Sequence, residues 1–167
     1  QVFVHLYDPE TYNTLAKEQV NIIRNNNAFQ HHMEWGTTNT QDITNSIGVY
    51  PVRNFRYGQH KDYTSISGEA YRKLRTGSMG CYSCAARCGK VHTVSSGIYK
   101  GAHSEGPEYE TIWAFTGTIE SNSIEASIAA DQLCDDLGID TISTGSTIGF
   151  AYELFEKGLL TKADTDG

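Results

Sequence analysis

Residues 122–158 decide the fold: Asn122-Ser-Ile-Glu-Ala-Ser-Ile-Ala-Ala-Asp-Gln-Leu-Cys-Asp-Asp-Leu-Gly138, then Ile139-Asp140-Thr-Ile-Ser-Thr-Gly-Ser-Thr-Ile-Gly-Phe-Ala-Tyr-Glu-Leu-Phe-Glu-Lys157-Gly158. Asn122 with Glu125 three residues on has the form of a capping box, where a polar side chain and an acid satisfy the first free N–H groups of a helix. Ile124, Ile128 and Leu133 fall on one side of that helix, and Gly138 is a natural stop. Ser143 or Thr144 then caps a second helix carrying Ile148, Ala151, Leu154 and Phe155, closed by Lys157-Gly158. Two such helices in succession predict a mainly α, multihelical domain.

The pattern weakens outward. Asp8-Pro9-Glu10 is a helix start, with Asp as cap, Pro in the first turn and Glu at the positive end of the helix dipole. Tyr12, Leu15, Ala16, Gln19, Val20 and Ile23 keep helical spacing until Asn25-Asn26-Asn27. A short helix is expected over 28–35, a weak one within 37–48, and an extended loop over 51–61. Ser67 caps another helix through Leu74, and Arg72-Lys73-Leu74-Arg75 reads as its exposed face. Lys90–Val94 and Gly97–Tyr99 predict a small strand pair, and Gly106-Pro107 opens a helix through Phe115. Irregular loops between these helices are left to hold the chemistry.

The chemistry centres on Gly80-Cys81-Tyr-Ser-Cys84-Ala-Ala-Arg-Cys88-Gly-Lys90. Three thiolates in eight residues suit a zinc ion or an iron–sulfur cluster. A disulfide between any two strains a tight loop and strands the third. The C-x2-C-x3-C order reverses the usual radical-SAM order. His92 could complete a Cys3His zinc set, so spacing alone leaves zinc and iron–sulfur open. Cys134, beside Leu133 on a helix, reads as a core thiol. Arg87, between two of the thiolates, could balance cluster charge or simply face solvent.

Two carboxylate groups stand out. Glu105, Glu108 and Glu110 crowd a helix start, where the dipole stabilises them; one of them, if buried, would serve as acid or base. Asp135-Asp136-Leu-Gly138-Ile-Asp140 places acids at a helix C-terminus, where they are disfavoured, and Gly138 would let the backbone approach a nitrogen-rich ligand. His31 and His32 form a helix pair, while His5, His60 and His103 show no role.

Composition narrows the partners. The 167 residues carry a net charge of −7, 38% hydrophobic and 20% charged residues, which suits one domain with a real core. No basic patch favours nucleic acid. No apolar stretch reaches the ~18–20 residues of a membrane span, and the start has no signal-peptide pattern. A beginning without Met and an end at Asp164-Thr-Asp-Gly167 suggest one domain, 1–167, cut from a longer chain.

Four segments in order carry a resemblance: Pro51-Val-Arg-Asn-Phe55, the cysteine run, Gly106-Pro-Glu-Tyr-Glu-Thr111, and Leu133-Cys-Asp-Asp-Leu-Gly-Ile-Asp-Thr-Ile-Ser-Thr-Gly145. Together they resemble the middle domain of the tungsten-containing aldehyde ferredoxin oxidoreductases. The resemblance implies that Cys81, Cys84 and Cys88 bind a [4Fe–4S] cluster whose fourth cysteine lies in a following domain. It implies that Asp135, Gly138, Ile139 and Asp140 form the D-x-x-G-x-D run that hydrogen-bonds one of two molybdopterins on tungsten (or molybdenum); Arg87 is a further candidate cofactor-binding residue, balancing cluster charge or bridging to a neighbouring anionic group. Glu110, and after it Glu108, would manage the proton. The implied partners are an aldehyde, ferredoxin, the remaining domains and a second copy of the chain, in the cytoplasm; the E-x-x-H of some dimeric members is absent. The implied reaction is aldehyde oxidation to a carboxylic acid with oxygen from water. A benzoyl-CoA reductase subunit, or a non-catalytic Cys3His zinc module, are the competing readings.

Overall fold

In the computed structural model, which describes residues 5–165 and 167, the chain is mainly helical. Among the described residues the α-helices are α1 (Pro9–Asn25), α2 (Asn27–Trp35), α3 (Asn39–Ser46), α4 (Gly68–Arg72), α5 (Tyr109–Thr116), α6 (Ile124–Leu137) and α7 (Thr141–Glu156). Three short strands, β1 (Arg75–Met79), β2 (Gly89–Thr93) and β3 (His103–Ser104), form one antiparallel sheet in the order β1-β2-β3. The expected terminal turn over 164–167 lies partly outside the described residues.

The core is built on α5. Thr111 through Thr116 are all buried, so this helix is enclosed on every side rather than along one stripe. Such a helix must satisfy its polar groups internally. Thr116 Oγ1 donates to Ile112 O at 2.6 Å and pairs with Tyr50 Oη at 2.9 Å, and Trp113 Nε1 donates to Pro51 O at 2.8 Å. Helix α7 crosses α5 at Gly145, where a Cβ would stand 2.5 Å from Ala114 O. Tyr50, Val52, Ile66, Tyr71, Val94 and Ile128 complete the interior.

Several expectations change. Arg72–Arg75 is the junction of α4 with β1, so the basic run splits between a helix and a strand. The strand pairs of β2 are β1 and β3; Gly97–Tyr99 forms a turn. The capping residue of α6 is Ser123, whose Oγ accepts from Ala126 N at 3.1 Å, one position past Asn122. Ile124 and Ile128 are buried, but Leu133 is 57% exposed. Helix α1 starts as expected at Asp8, which accepts from Thr11 N at 3.0 Å, yet it buries none of its residues. No helix among the described residues is long and apolar enough to cross a membrane.

Candidate functional site

The hairpin β1–β2 presents the cysteines. Met79 pairs with Gly89, so residues 80–88 leave the sheet as a single loop. Cys84 N–H donates to Cys81 O at 3.0 Å, placing the first two cysteines on one tight turn. Ser83 and Arg87 sit at φ 58° and 46°, a conformation that side chains disfavour and that bends the loop twice. The loop closes at Gly80, where a Cβ would stand 2.9 Å from Arg87 Cα. Cys81 and Cys84 are exposed and Cys88 is half-buried; all three are free thiols. Arg87 is exposed and makes no ion pair among the described residues.

His92 does not belong to that loop. It is buried on β2, its Nδ1–H donates to Gly106 O, and its ring meets Tyr71 edge-on at 5.8 Å. Burial lowers its pKa, and the Gly106 bond works against that shift by holding the Nδ1 proton. His92 forms no ligand-spaced group with Cys81, Cys84 and Cys88 among the described residues. A single zinc ion also asks the sulfurs to converge at about 2.3 Å from one point. No three His, Cys, Asp or Glu side chains among the described residues form such a group. An iron–sulfur cluster is a larger body, held at its corners by cysteine thiolates. Three free thiols on one bent loop, two of them open to solvent, fit that donor set. Cys134 is 3% exposed in the core, as expected, and burial pushes its thiol pKa up.

The acidic run forms the turn between α6 and α7. Gly138 caps α6 at φ 67° and ψ 36°, left-handed backbone open to glycine without steric cost. Gly138 N–H donates to Asp135 O at 3.1 Å, and Ile139 N–H to Cys134 O at 3.0 Å. Asp140 then caps α7, taking Ser143 N–H on Oδ2 at 2.7 Å, so the cap is neither Ser143 nor Thr144. That bond holds the Asp140 carboxyl below its ordinary pKa. Asp140 thus lies at the positive end of α7, which removes part of the apparent electrostatic conflict. Residues 135–140 are all exposed, with one Asp140 oxygen still free to accept.

The glutamates follow the cis Gly106–Pro107 bond. Glu108 occupies the cap position of α5 without capping it; Thr37 does so from a distant segment, accepting from Tyr109 N at 2.9 Å. The Thr37 hydroxyl in turn donates to the Glu108 carboxylate. Glu110 is exposed in the first turn, with no polar partner among the described residues, and Glu105 is exposed before it.

These three segments are neighbours. A Cβ at Gly36 would stand 2.8 Å from Cys88 O, so Gly36 touches the cysteine loop while Thr37 holds Glu108. Buried Lys90 donates to Met33 O at 2.6 Å beside them; burial, then the Arg75 charge, lowers its pKa. On the other side, Thr111 Oγ1 and Thr141 Oγ1 lie 2.8 Å apart, joining the start of α5 to the residue after Asp140. The sequence offers Gly36 only as a helix stop and gives Thr37 and Thr141 no role of their own, because each acts through a contact distant along the chain. Gln41 and His60 were equally silent: both are buried with side-chain nitrogens or oxygens that have no partner among the described residues.

The Arg53-Asn54-Phe55 segment has φ values of 50°, 51° and 67° in succession, a rare run for residues with side chains. It is held by Arg53 N–H to Gly117 O at 3.1 Å and Asn54 N–H to Thr118 O at 3.0 Å. Arg53 pairs with Glu120 and Glu156, and Asn54 Nδ2 donates to Glu153 at 2.7 Å, tying this turn to the end of α7.

Comparison with known proteins gives these segments a common context. The family described as "Aldehyde ferredoxin oxidoreductase, domains 2 & 3" matches residues 14–167. The tungsten-containing aldehyde ferredoxin oxidoreductase of Pyrococcus furiosus is 36% identical over 157 residues, 93% of this chain and 25% of its own length. Its counterpart in Thermococcus kodakarensis is 37% identical over 161 residues, 95% of this chain and 26% of its own. The aliphatic sulfonate oxidoreductase, WOR-like subunit, of P. furiosus is 31% identical over 162 residues, 95% of this chain and 25% of its own. The chain spans about a quarter of the length of these relatives. It belongs to the aldehyde ferredoxin oxidoreductase family.

Proposed function

We propose that this chain is the cluster- and pterin-binding segment of a tungsten-dependent oxidoreductase. The parent protein would oxidise an aldehyde to a carboxylic acid, take the oxygen from water and pass two electrons to ferredoxin in the cytoplasm. The observation that carries the proposal is adjacency: the cysteine loop, the glutamate turn and the α6–α7 turn are joined through Gly36–Thr37 and Thr111–Thr141. Bound tungsten–pterin would supply the two-electron oxidation, and a [4Fe–4S] cluster would pass the electrons on singly.

The residues divide the remaining work. Cys81, Cys84 and Cys88 would hold the cluster, its last ligand coming from another part of the parent chain. Arg87, exposed on the same loop, would offset the thiolate charge. Asp135 and the free oxygen of Asp140 would accept hydrogen bonds from a pterin. Gly138 and Ile139 would bring their backbone close to it. Glu110, unpaired and exposed at the start of α5, would take the proton, with Glu108 second. The remaining domains would cover these exposed groups and exclude water.

The test is metal analysis and turnover on the complete polypeptide, purified without oxygen. The proposal expects iron near four per chain, tungsten, and aldehyde oxidation coupled to ferredoxin. Cys84→Ser should remove iron, and Glu110→Gln or Glu108→Gln should lower turnover with metals retained. Zinc without a visible absorption band would overturn it. Turnover unchanged in both glutamate variants would remove their assignment.

A further inference from the structure

Asp131 is the one buried carboxylate among the described residues outside the three motifs, and it lies between two of them. It is 8% exposed on α6, one helical turn before Asp135, so both project from the same side of the helix. Its Oδ2 accepts a hydrogen bond from the buried Ser104 hydroxyl. Ser104 Oγ in turn accepts Gly106 N–H at 2.9 Å, while His92 Nδ1–H donates to Gly106 O. Both backbone groups of Gly106 are therefore committed to buried side chains. The Cα face of Gly106 is covered as well: a Cβ there would stand 3.1 Å from Asp131 Oδ2 and 2.9 Å from Glu108 N. Burying a carboxyl is costly unless its bonds are made, and helix packing alone does not call for an acid at this position.

We propose that Asp131 is a positioning residue: through Ser104 and Gly106 it fixes the Glu108–Glu110 segment against the α6 end that carries Asp135 and Asp140. The consequence for the reaction rests on the function proposed above; the positioning itself does not. Burial, followed by the nearby Asp135 and Glu108 charges, raises the Asp131 pKa, while the Ser104 hydrogen bond works against that rise. A reacting group misplaced by about 1 Å can lose about 100-fold in rate. A rigid link from one motif to the other is what such a site requires.

The test uses the complete polypeptide with Asp131→Ala, Asp131→Asn and Ser104→Ala. In Asp131→Ala and Ser104→Ala, amide hydrogen exchange over residues 106–110 should rise about tenfold or more, a readout that needs no catalysis. Turnover should fall about 10- to 100-fold with KM for aldehyde changed less than about threefold. Iron and tungsten content should stay as in the parent. Asp131→Asn keeps an oxygen that can accept from Ser104, so it should restore exchange protection and most of the turnover. Where Asp131→Ala fails to fold, Ser104→Ala gives the same readouts. Unchanged exchange, loss of tungsten, or an Asn variant as impaired as the Ala variant would overturn the proposal. Faster exchange with full turnover would keep the link but sink the placement of Glu108 and Glu110 in the reaction.

Discussion

Helices α5 and α1 follow the same local rules and end in opposite situations. Each begins beside a proline and carries an acid in its first turn, yet α5 buries six of its eight residues and α1 buries none. Tyr12, Leu15 and Ile22 on α1 remain more than half exposed. The same contrast divides α6 and α7: Ile128 is fully buried, while Leu133, Leu137, Phe150, Tyr152 and Phe155 face outward. Local signals report that a helix forms; they do not report what covers it. The interior of this chain closes on α5, and its rim keeps apolar side chains in the open.

The largest expected effect strikes the interior. Gly145→Val puts a branched side chain where a Cβ already stands 2.5 Å from Ala114 O, a backbone atom that cannot rotate away. Overpacking of this kind should cost about 3 kcal/mol or more, enough to unfold much of the protein. Thermal unfolding of the variant checks it, and a native midpoint would show that α7 can lift from α5 freely.

The next pair sharpens the division. Ile128→Ala removes a fully buried side chain and should cost about 3 kcal/mol. Leu133→Ala on the same helix should change this chain by no more than about 0.5 kcal/mol, because its side chain is already largely in water. In the complete polypeptide, Leu133→Ala should approach about 2 kcal/mol if another domain covers that face. Equal small effects in both settings would mean the rim is a true solvent surface.

The fold was legible where helix rules are local. The α6 stop at Gly138, the α1 start at Asp8 and the buried Cys134 followed from residue type and spacing. Strand β1 was not, because Arg75–Met79 lacks an alternating apolar pattern and becomes a strand only by pairing with β2. The motifs of the candidate site were all visible as motifs. Their joining was not: Thr37 reaches Glu108 across 71 positions, and Thr111 reaches Thr141 across 30. A sequence names donors, but the contacts between them belong to the packed interior.

A smaller effect separates interior and rim by pH. His60 and His92 are buried, and burial lowers both below the ordinary value of 6.5. The unfolded chain then binds protons that the folded one refuses, so stability is full above 6.5 and falls as the pH drops below it. Asp131 has the opposite sign: its raised pKa favours the folded state at low pH and is lost as the pH rises. His92→Gln and His60→Asn should flatten the loss of unfolding midpoint between pH 7 and about 5. A slope unaffected by either buried histidine would place the acid sensitivity elsewhere.

The finest test concerns one position at the start of α6, where sequence and structure disagree by a single residue. Sequence spacing chooses Asn122 as the cap because Glu125 follows three residues later. In the folded chain Ser123 accepts from Ala126 N at 3.1 Å, its hydroxyl donates to Glu125 Oε2 at 3.2 Å, and Asn122 turns away toward Asp62 at 3.3 Å. Ser123→Ala should therefore cost about 1 kcal/mol, while Asn122→Ala should cost no more than a few tenths, ~0.3 kcal/mol. The reverse order in chemical denaturation would return the cap to Asn122. It would also shift the α6 boundary one residue back, where Ile124 enters the core and begins the helix that carries Asp131 and Asp135.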